Sequence, residues 1–303
     1  MTRDSTHALQ DKRIGFIGGG AMAEALAGGL VGAGVAPALI TIAEPRAERC
    51  AQLSERLGVA THSDNPLVVR TSDLVVLAVK PNIVAEALGD LAASIPAEDG
   101  LDLARPLWVS VAAGVRLEAI GTHLGAEARI VRAMPNTPAL VQAGATAIVG
   151  NASTTPSDLD AAQALFESVG SVWRAEREAH LDAVTGLSGS GPAYVFLFIE
   201  ALIDAGEKVG LDRNAARSLA LQTVFGAAKL ACESELDPAE LREQVSSKGG
   251  TTVAGLAQLE SGGLRDLLAR AVDAATRRSR ELGESPASTT PSKTPSSPVK
   301  SGT

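Results

Sequence analysis

The sequence predicts a doubly wound α/β domain followed by an all-helical domain, and three observations carry that prediction. From Arg13 onward, short β-branched runs alternate with longer stretches of helical period, the pattern of strand–helix–strand units around a parallel sheet. After about Glu178, helix follows helix with no run that reads as a buried strand. The chain, at 303 residues, also reaches the size at which one hydrophobic core stops growing, roughly 250–300 residues, so two domains are expected.

The strands are placed at residues 13–17, 39–43, 74–79, 107–112, 129–132 and 146–149, with helices at 21–33 and 45–57 between them. In the second half Pro192 suits a first helical position and opens an apolar helix running to about Val209. Helices at 213–233, 238–245, 252–260 and 264–282 follow. The polar residues 1–12 lack the apolar stretch of a signal peptide and read as disordered. Residues 284–303 are dense in Ser, Thr and Pro, bury too little to offset their ordering entropy, and read as a disordered tail.

A formal charge of -8 argues against a nucleic-acid surface, which needs a basic stripe. Apolar stretches are broken by Gly, Glu or Lys before the ~20 residues needed to cross a bilayer, so no membrane partner is expected. Cys50 and Cys232 stand far apart, outside any CxxC or Cys/His cluster, so neither a disulfide framework nor a metal site is suggested. A cytoplasmic location fits that usage.

Gly18, Gly20 and Ala23 form a G-x-G-x-x-A pattern directly after a strand and at the opening of a helix, with Ala21 and Met22 between. Gly18 would make the tight turn, Gly20 would let the backbone approach a pyrophosphate, and Ala23 would let helix and strand pack closely. A tight strand–helix turn alone could produce the same glycines; the strand context is what favours a Rossmann-type dinucleotide site. Residues 13–178 are therefore read as the dinucleotide-binding domain.

At the end of the second strand Glu44 suits a free ribose 2′-hydroxyl, whereas Arg46 and Arg49 suit a 2′-phosphate or merely form a solvated helix face. Ala78, Val79, Lys80 and Pro81, and then Ala112, Ala113 and Gly114, fall at carboxyl ends of strands, where such sheets bind ligands. Asn65 before Pro66 reads as a helix cap. Asn136, held between Pro135 and Pro138, could present its amide to a nicotinamide or substrate, or simply sit in a rigid turn.

A second glycine loop, Ser246-Ser247-Lys248-Gly249-Gly250-Thr251-Thr252, interrupts the helical half. Glycine pairs oppose helix formation, and Thr251 or Thr252 would cap the next helix, so loop amides would converge on a positive dipole end suited to a carboxylate. Upstream, Thr185 to Tyr194 reads TGLSGSGPAY, with Ser188 and Ser190 as candidate caps for the following helix.

Taken together, IGGGAMA, AVKP, MPNTP, TGLSGSGPAY and VSSKGGTT resemble pyrroline-5-carboxylate reductases, in that family's order and over residues 13–282. The resemblance implies an NADPH- or NADH-dependent oxidoreductase of proline biosynthesis, reducing 1-pyrroline-5-carboxylate to L-proline. It implies that Ser247 and the amides of Gly249, Gly250 and Thr251 hold the substrate carboxylate, and that the Thr252 hydroxyl bonds the ring nitrogen as the catalytic contact. Gly18, Gly20, Ala21, Met22, Ala23, Asn65, Ala78, Val79, Lys80, Pro81, Ala112, Ala113, Gly114 and Asn136 would contact the cofactor. Residues 179–283 would bind substrate and form an intertwined homodimer, with assembly up to a decamer. Lys248 departs from the proline that family commonly carries there, which puts substrate affinity in question.

Two other readings stay open. A hydroxyacid dehydrogenase of similar architecture would want a lysine in the helical domain, but Lys208 and Lys229 lie in no matching motif. A non-catalytic dinucleotide-binding regulator would have no evident need for the second loop.

Overall fold

A computed structural model describes residues 8–93 and 101–284. Its first half runs β1 (Ile14–Ile17), α1 (Ala21–Gly32), β2 (Ile40–Ala43), α2 (Ala47–Leu57), β3 (Ala60–His62), α3 (Asn65–Thr71), β4 (Leu74–Leu77), α4 (Val84–Ala93), β5 (Leu107–Ser110), α5 (Leu117–Leu124), β6 (Ile130–Met134), β7 (Gly144–Gly150), α6 (Pro156–Glu167) and β8 (Gly170–Arg174). The strands form one sheet in the order β3-β2-β1-β4-β5-β6-β7-β8. All neighbours are parallel except β6 and β7.

The central strands are buried on both faces, because helices cover both sides of a parallel sheet. Successive side chains alternate between two cores. Phe16, Leu74, Val76, Leu107 and Val109 join Leu26, Leu30, Leu165 and Phe166 on one side. Ile17, Val75, Leu77 and Trp108 join Leu88, Ile120 and Ile130 on the other. The doubly wound α/β expectation holds, and the two strands it lacked are both edges of the sheet. β3 is short and half exposed, and β8 alternates without an apolar run, so neither shows a buried-strand pattern.

The second half is helical: α7 (His180–Val184), a π turn (Thr185–Gly189), α8 (Gly191–Lys208), α9 (Arg213–Glu233), α10 (Pro238–Gln244), α11 (Thr251–Ser261) and α12 (Leu264–Glu284). α8 packs on α9 and α12 packs on the π turn, while α11 packs on α12. Gly186 makes the π-turn contact possible, since a Cβ there would lie 2.3 Å from Thr276 Oγ1 and 2.6 Å from the Val272 carbonyl.

Several local expectations are corrected. Residue 9 is not part of a disordered stretch: Leu9 is fully buried in the first core, its apolar side chain pinning the chain ahead of β1. The expected disorder of residues 1–7 and the tail from 285 fall outside the described residues. Asn65 is not a cap, because Asp64 takes that position with Pro66 in the first turn. Ser190 stands at the N-cap position of α8 but its side chain makes no cap hydrogen bond, because the chain stays helical from α7 through the π turn, and the Ser188 hydroxyl donates back to the Val184 carbonyl at 3.2 Å. Gly250, without a side chain, occupies the cap of α11, so neither Thr251 nor Thr252 does. The run His180–Lys208 is also long and apolar enough to cross a membrane by length and composition, because helix continues through TGLSGSG where a break was expected.

Candidate functional site

The parallel order from β3 to β6 aligns the carboxyl ends of β1, β4, β5 and β6, and the chain reverses direction of winding between β1 and β4. A crevice at such a switch point is where doubly wound sheets bind ligands. Gly18 sits on its floor with φ +96°, a left-handed conformation, and a Cβ there would lie 2.8 Å from the Ala78 carbonyl oxygen. Ala78 in turn donates its amide to Ile17 at 2.8 Å, so the turns after β1 and β4 are locked together. Gly20 is the cap of α1, with no side-chain hydrogen bond to the helix and nothing within 4 Å of its would-be Cβ. Open space beside the uncapped amides of a 12-residue helix fits a dinucleotide pyrophosphate. Ala21 and Met22 open that helix, and Ala23 is buried against the sheet.

Ala112, Ala113 and Gly114 follow β5, next to the Ala78, Val79, Lys80 and Pro81 turn after β4. Lys80 is exposed, Ala112 is buried, and Gly114 has φ +77° with its would-be Cβ 3.5 Å from Leu282 of α12. The helical half therefore abuts the turn after β5 at the edge of this crevice. Asn65 begins α3 directly after the edge strand β3, and that helix packs on β1 and β2.

Glu44, at the end of β2, is buried and turned inward. Its Oε2 accepts the Gly19 amide at 3.1 Å, and its Oε1 accepts Arg46 Nε at 2.7 Å and the Arg46 amide at 3.1 Å. The Arg46 guanidinium, with help from these amides, holds the Glu44 carboxyl below its ordinary range against the opposing effect of burial. The carboxylate expected to meet a ribose hydroxyl is instead spent on shaping the glycine turn. Arg46 stands exposed at that end of the cleft. Arg49 is a structural participant, donating to the Gly19 carbonyl at 2.8 Å and to Glu24 at 2.6 Å. Gly19 and Glu24 were not singled out from sequence; a glycine between two glycines and a helical glutamate carry no distinguishing signal.

The expectation for Asn136 is also corrected. Its Oδ1 accepts the Ala145 amide at 2.9 Å and its Nδ2 donates to the Ser188 carbonyl at 3.0 Å, so the amide joins the end of β6 to β7 and the π turn. Two further ties across the seam were invisible in sequence. Buried Arg132 donates to Glu178 at 2.7 Å, and buried Asp182 pairs with Arg116 of the first half at 3.5 Å.

In the second loop, Gly249 adopts φ +74°, a backbone conformation that favours glycine. The Gly250 amide donates to the Ser247 carbonyl at 2.9 Å, so of the amides expected to meet a carboxylate this one is engaged within the loop. The Ser247 hydroxyl lies where a Cβ on Gly250 would be, 2.5 Å away. Thr251 contributes the first amide of α11, a donor the helix cannot satisfy internally. Ser247, Lys248, Gly249 and Thr251 are exposed and Thr252 is half-buried.

Comparison with known proteins decides the family. A curated relative from Synechocystis sp., a pyrroline-5-carboxylate reductase, is 45% identical over 273 residues, covering 90% of this chain and 98% of the relative. The chain belongs to the pyrroline-5-carboxylate reductase family. Residues 178–282 of this reductase-family chain match the model of pyrroline-5-carboxylate reductase dimerisation, and residues 13–113 match NADP oxidoreductase, coenzyme F420-dependent. A solved pyrroline-5-carboxylate reductase from Coxiella burnetii superposes with a TM-score of 0.84 at 39% identity, covering 90% of this chain and 99% of that one. A Plasmodium falciparum pyrroline carboxylate reductase solved with NADP bound gives 0.77 at 32% identity, covering 91% and 99%. The reductase family thus accounts for both halves, an NAD(P)-dependent oxidoreductase fold and a dimerisation region.

Proposed function

We propose that this protein reduces 1-pyrroline-5-carboxylate to L-proline with NADPH as preferred reductant and NADH as the alternative, completing proline biosynthesis in the cytoplasm. The observation that carries the reading is one chain holding both a phosphate-ready first glycine turn and the Ser246–Thr252 loop, in a family whose members bear that activity in their names. Glu44 and Arg46 together favour NADPH: the carboxylate is committed to Gly19 and Arg46, and the paired guanidinium, still largely exposed, lies where a 2′-phosphate would arrive.

Gly18, Gly20, Ala21, Met22 and Ala23 would hold the pyrophosphate, with Asn65, Ala78, Val79, Lys80, Pro81, Ala112, Ala113 and Gly114 along the rest of the cofactor. When bound, that cofactor supplies the hydride. Ser247 and the amides of Gly249 and Thr251, with Gly250 after release from Ser247, would hold the substrate carboxylate. The Thr252 hydroxyl would orient the ring nitrogen. An unassisted threonine is too weak an acid to be the sole proton donor, so the proton comes from water or already sits on the imine. Catalysis then rests on placing the reacting carbons at near-attack distance, roughly 3–3.5 Å.

The exposed apolar side chains of α8 and α9, among them Phe196, Leu197 and Phe225, would be covered by a second copy, giving a homodimer able to assemble further, up to a decamer. That occupant also suits the apolar run His180–Lys208 better than a bilayer, since it lies within the matched dimerisation region.

A steady-state assay of pyrroline-5-carboxylate reduction with each cofactor tests the reading, and inactivity with both overturns it. Thr252→Ala should lower kcat/KM by on the order of 10²-fold while NADPH binding stays within twofold. Unchanged turnover at low substrate would remove Thr252 from the site.

A further inference from the structure

The π turn between α7 and α8 leaves one backbone group in need of a partner, and a residue from the other half of the molecule supplies it. In a continuous α-helix the Ser188 carbonyl would accept from the amide four residues on. That residue is Pro192, which has no N–H. The helix widens at this place, with the Ser190 amide reaching back to the Thr185 carbonyl at 2.8 Å and the Ala193 amide turning to Ser190 at 3.0 Å. The Ser188 carbonyl receives Asn136 Nδ2 at 3.0 Å instead.

Asn136 is held to be a good donor. It is 9% exposed, and its Oδ1 is fixed by the Ala145 amide at 2.9 Å, which orients Nδ2 toward the helix. Its backbone stands just beyond β6, at the carboxyl edge of the sheet beside β5 and the Ala112–Gly114 turn. Gly189 lies against the end of β6, where a Cβ would be 2.6 Å from the Met134 methyl group. From the π turn the contact continues through Gly186 to Thr276 of α12, and α12 packs on α11, whose first residues are Thr251 and Thr252.

We propose that Asn136 is a positioning residue: its amide takes the place of the donor that Pro192 lacks, and so sets the helices that carry the substrate loop relative to the cofactor cleft. Its part in the reaction is geometric, and it rests on the reductase reading above. A displacement of about 1 Å at a reacting centre costs on the order of 10²-fold in rate, so one side chain spanning the seam carries a measurable share of turnover. Cofactor affinity depends on the first glycine turn, which Asn136 does not touch.

Asn136→Asp isolates the donor, because it keeps an oxygen for the Ala145 amide and sets an acceptor against the Ser188 carbonyl. At pH 8 the variant should lose roughly ten- to hundredfold in kcat. Its NADPH dissociation constant, read by fluorescence titration, should stay within twofold of wild type. Hydrogen–deuterium exchange across residues 184–192 should quicken. A fall in NADPH affinity matching the fall in kcat would make Asn136 a cofactor ligand and overturn the proposal; so would unchanged kcat, or exchange no faster than wild type. Should Asn136→Asp not fold, Pro192→Ala returns a helical donor to Ser188 while leaving Asn136 intact. It should lower kcat severalfold without weakening NADPH binding, and unchanged kcat would equally overturn the assignment. If the wild-type enzyme showed no turnover of pyrroline-5-carboxylate, the reductase reading would fall, while the exchange and NADPH measurements would still decide the tie.

Discussion

The two halves of this chain bury their apolar residues in different places. In the sheet domain Leu26, Leu30 and Phe166 are inaccessible, locked between the sheet and its helices. In the helical half Leu181 packs against the sheet and, among the described residues, a small separate cluster holds Ile203, Ala216 and Ala220, while Phe196, Leu197 and Phe225 are 60–66% exposed. Both halves are comparably rich in apolar residues, so the difference is one of partner rather than of composition. The first half supplies its own opposing layer; the second presents one face to be covered from outside. Folding of the first is an intramolecular matter, whereas with the second copy proposed above, order in the second would depend on protein concentration.

The strongest way to break this contrast is to alter one residue on each side of it. Leu30→Ala should destabilise the sheet domain by about 2–5 kcal/mol, since it opens a cavity in a closed core. Phe225→Glu should do little to that domain but place a charge in the face assigned to a second copy. The expected result is monomer by sedimentation at micromolar concentration, with activity lost and with melting of the sheet domain within a few degrees of wild type. A dimeric, active Phe225→Glu protein would mean that α9 is not in the interface.

Next in size is the turn proposed to hold the cofactor pyrophosphate. Gly18→Ala meets both a left-handed backbone and a carbonyl oxygen 2.8 Å from the new methyl group, with Ala78 itself tied to β1. The strain, roughly 1–3 kcal/mol, can be relieved only by parting the turns after β1 and β4. NADPH affinity should fall tenfold or more by fluorescence titration, while dimerisation is untouched. Gly20→Ala provides the comparison, since space for a methyl group exists there and a loss of affinity would then report on the cofactor itself.

The same contrast explains what could be read in the sequence. Strands buried on both faces advertise themselves as β-branched runs, so β1, β2, β4 and β5 were placed to within one or two residues, whereas edge strands β3 and β8 lack such runs. Later helix ends in the second half are legible from Pro238 and the glycines. The continuity of helix through TGLSGSG is not legible locally, because the glycines that would break an isolated helix here allow α12 to approach at Gly186. Nor are side-chain partners across long separations. Nothing local to Glu44 says that it serves Gly19 rather than a ribose, and nothing local to Asn136 says that it serves Ser188. The second glycine loop was recognisable by motif, yet the engagement of the Gly250 amide by Ser247 depends on a backbone fold that residue types alone do not specify.

The smallest effect tests whether the glycine turn is shaped by charge. Glu44 has its pKa lowered chiefly by its bond to Arg46, with the amides of Arg46 and Gly19 adding to it and burial opposing. A carboxyl with a lower pKa in the folded state binds protons less readily there than when unfolded, so the stabilisation is complete above the unfolded value, about 4.3, and is lost as pH falls through the folded one. Glu44→Gln keeps one acceptor and removes the charge. It should therefore lower stability by about 1–2 kcal/mol at pH 7, with the gap from wild type closing as the pH is taken below about 4. Thermal melts of both proteins across that range measure it. A gap that persists unchanged into acid would mean that Glu44 holds Gly19 through shape and hydrogen bonding alone, and that the turn would keep its form in either charge state.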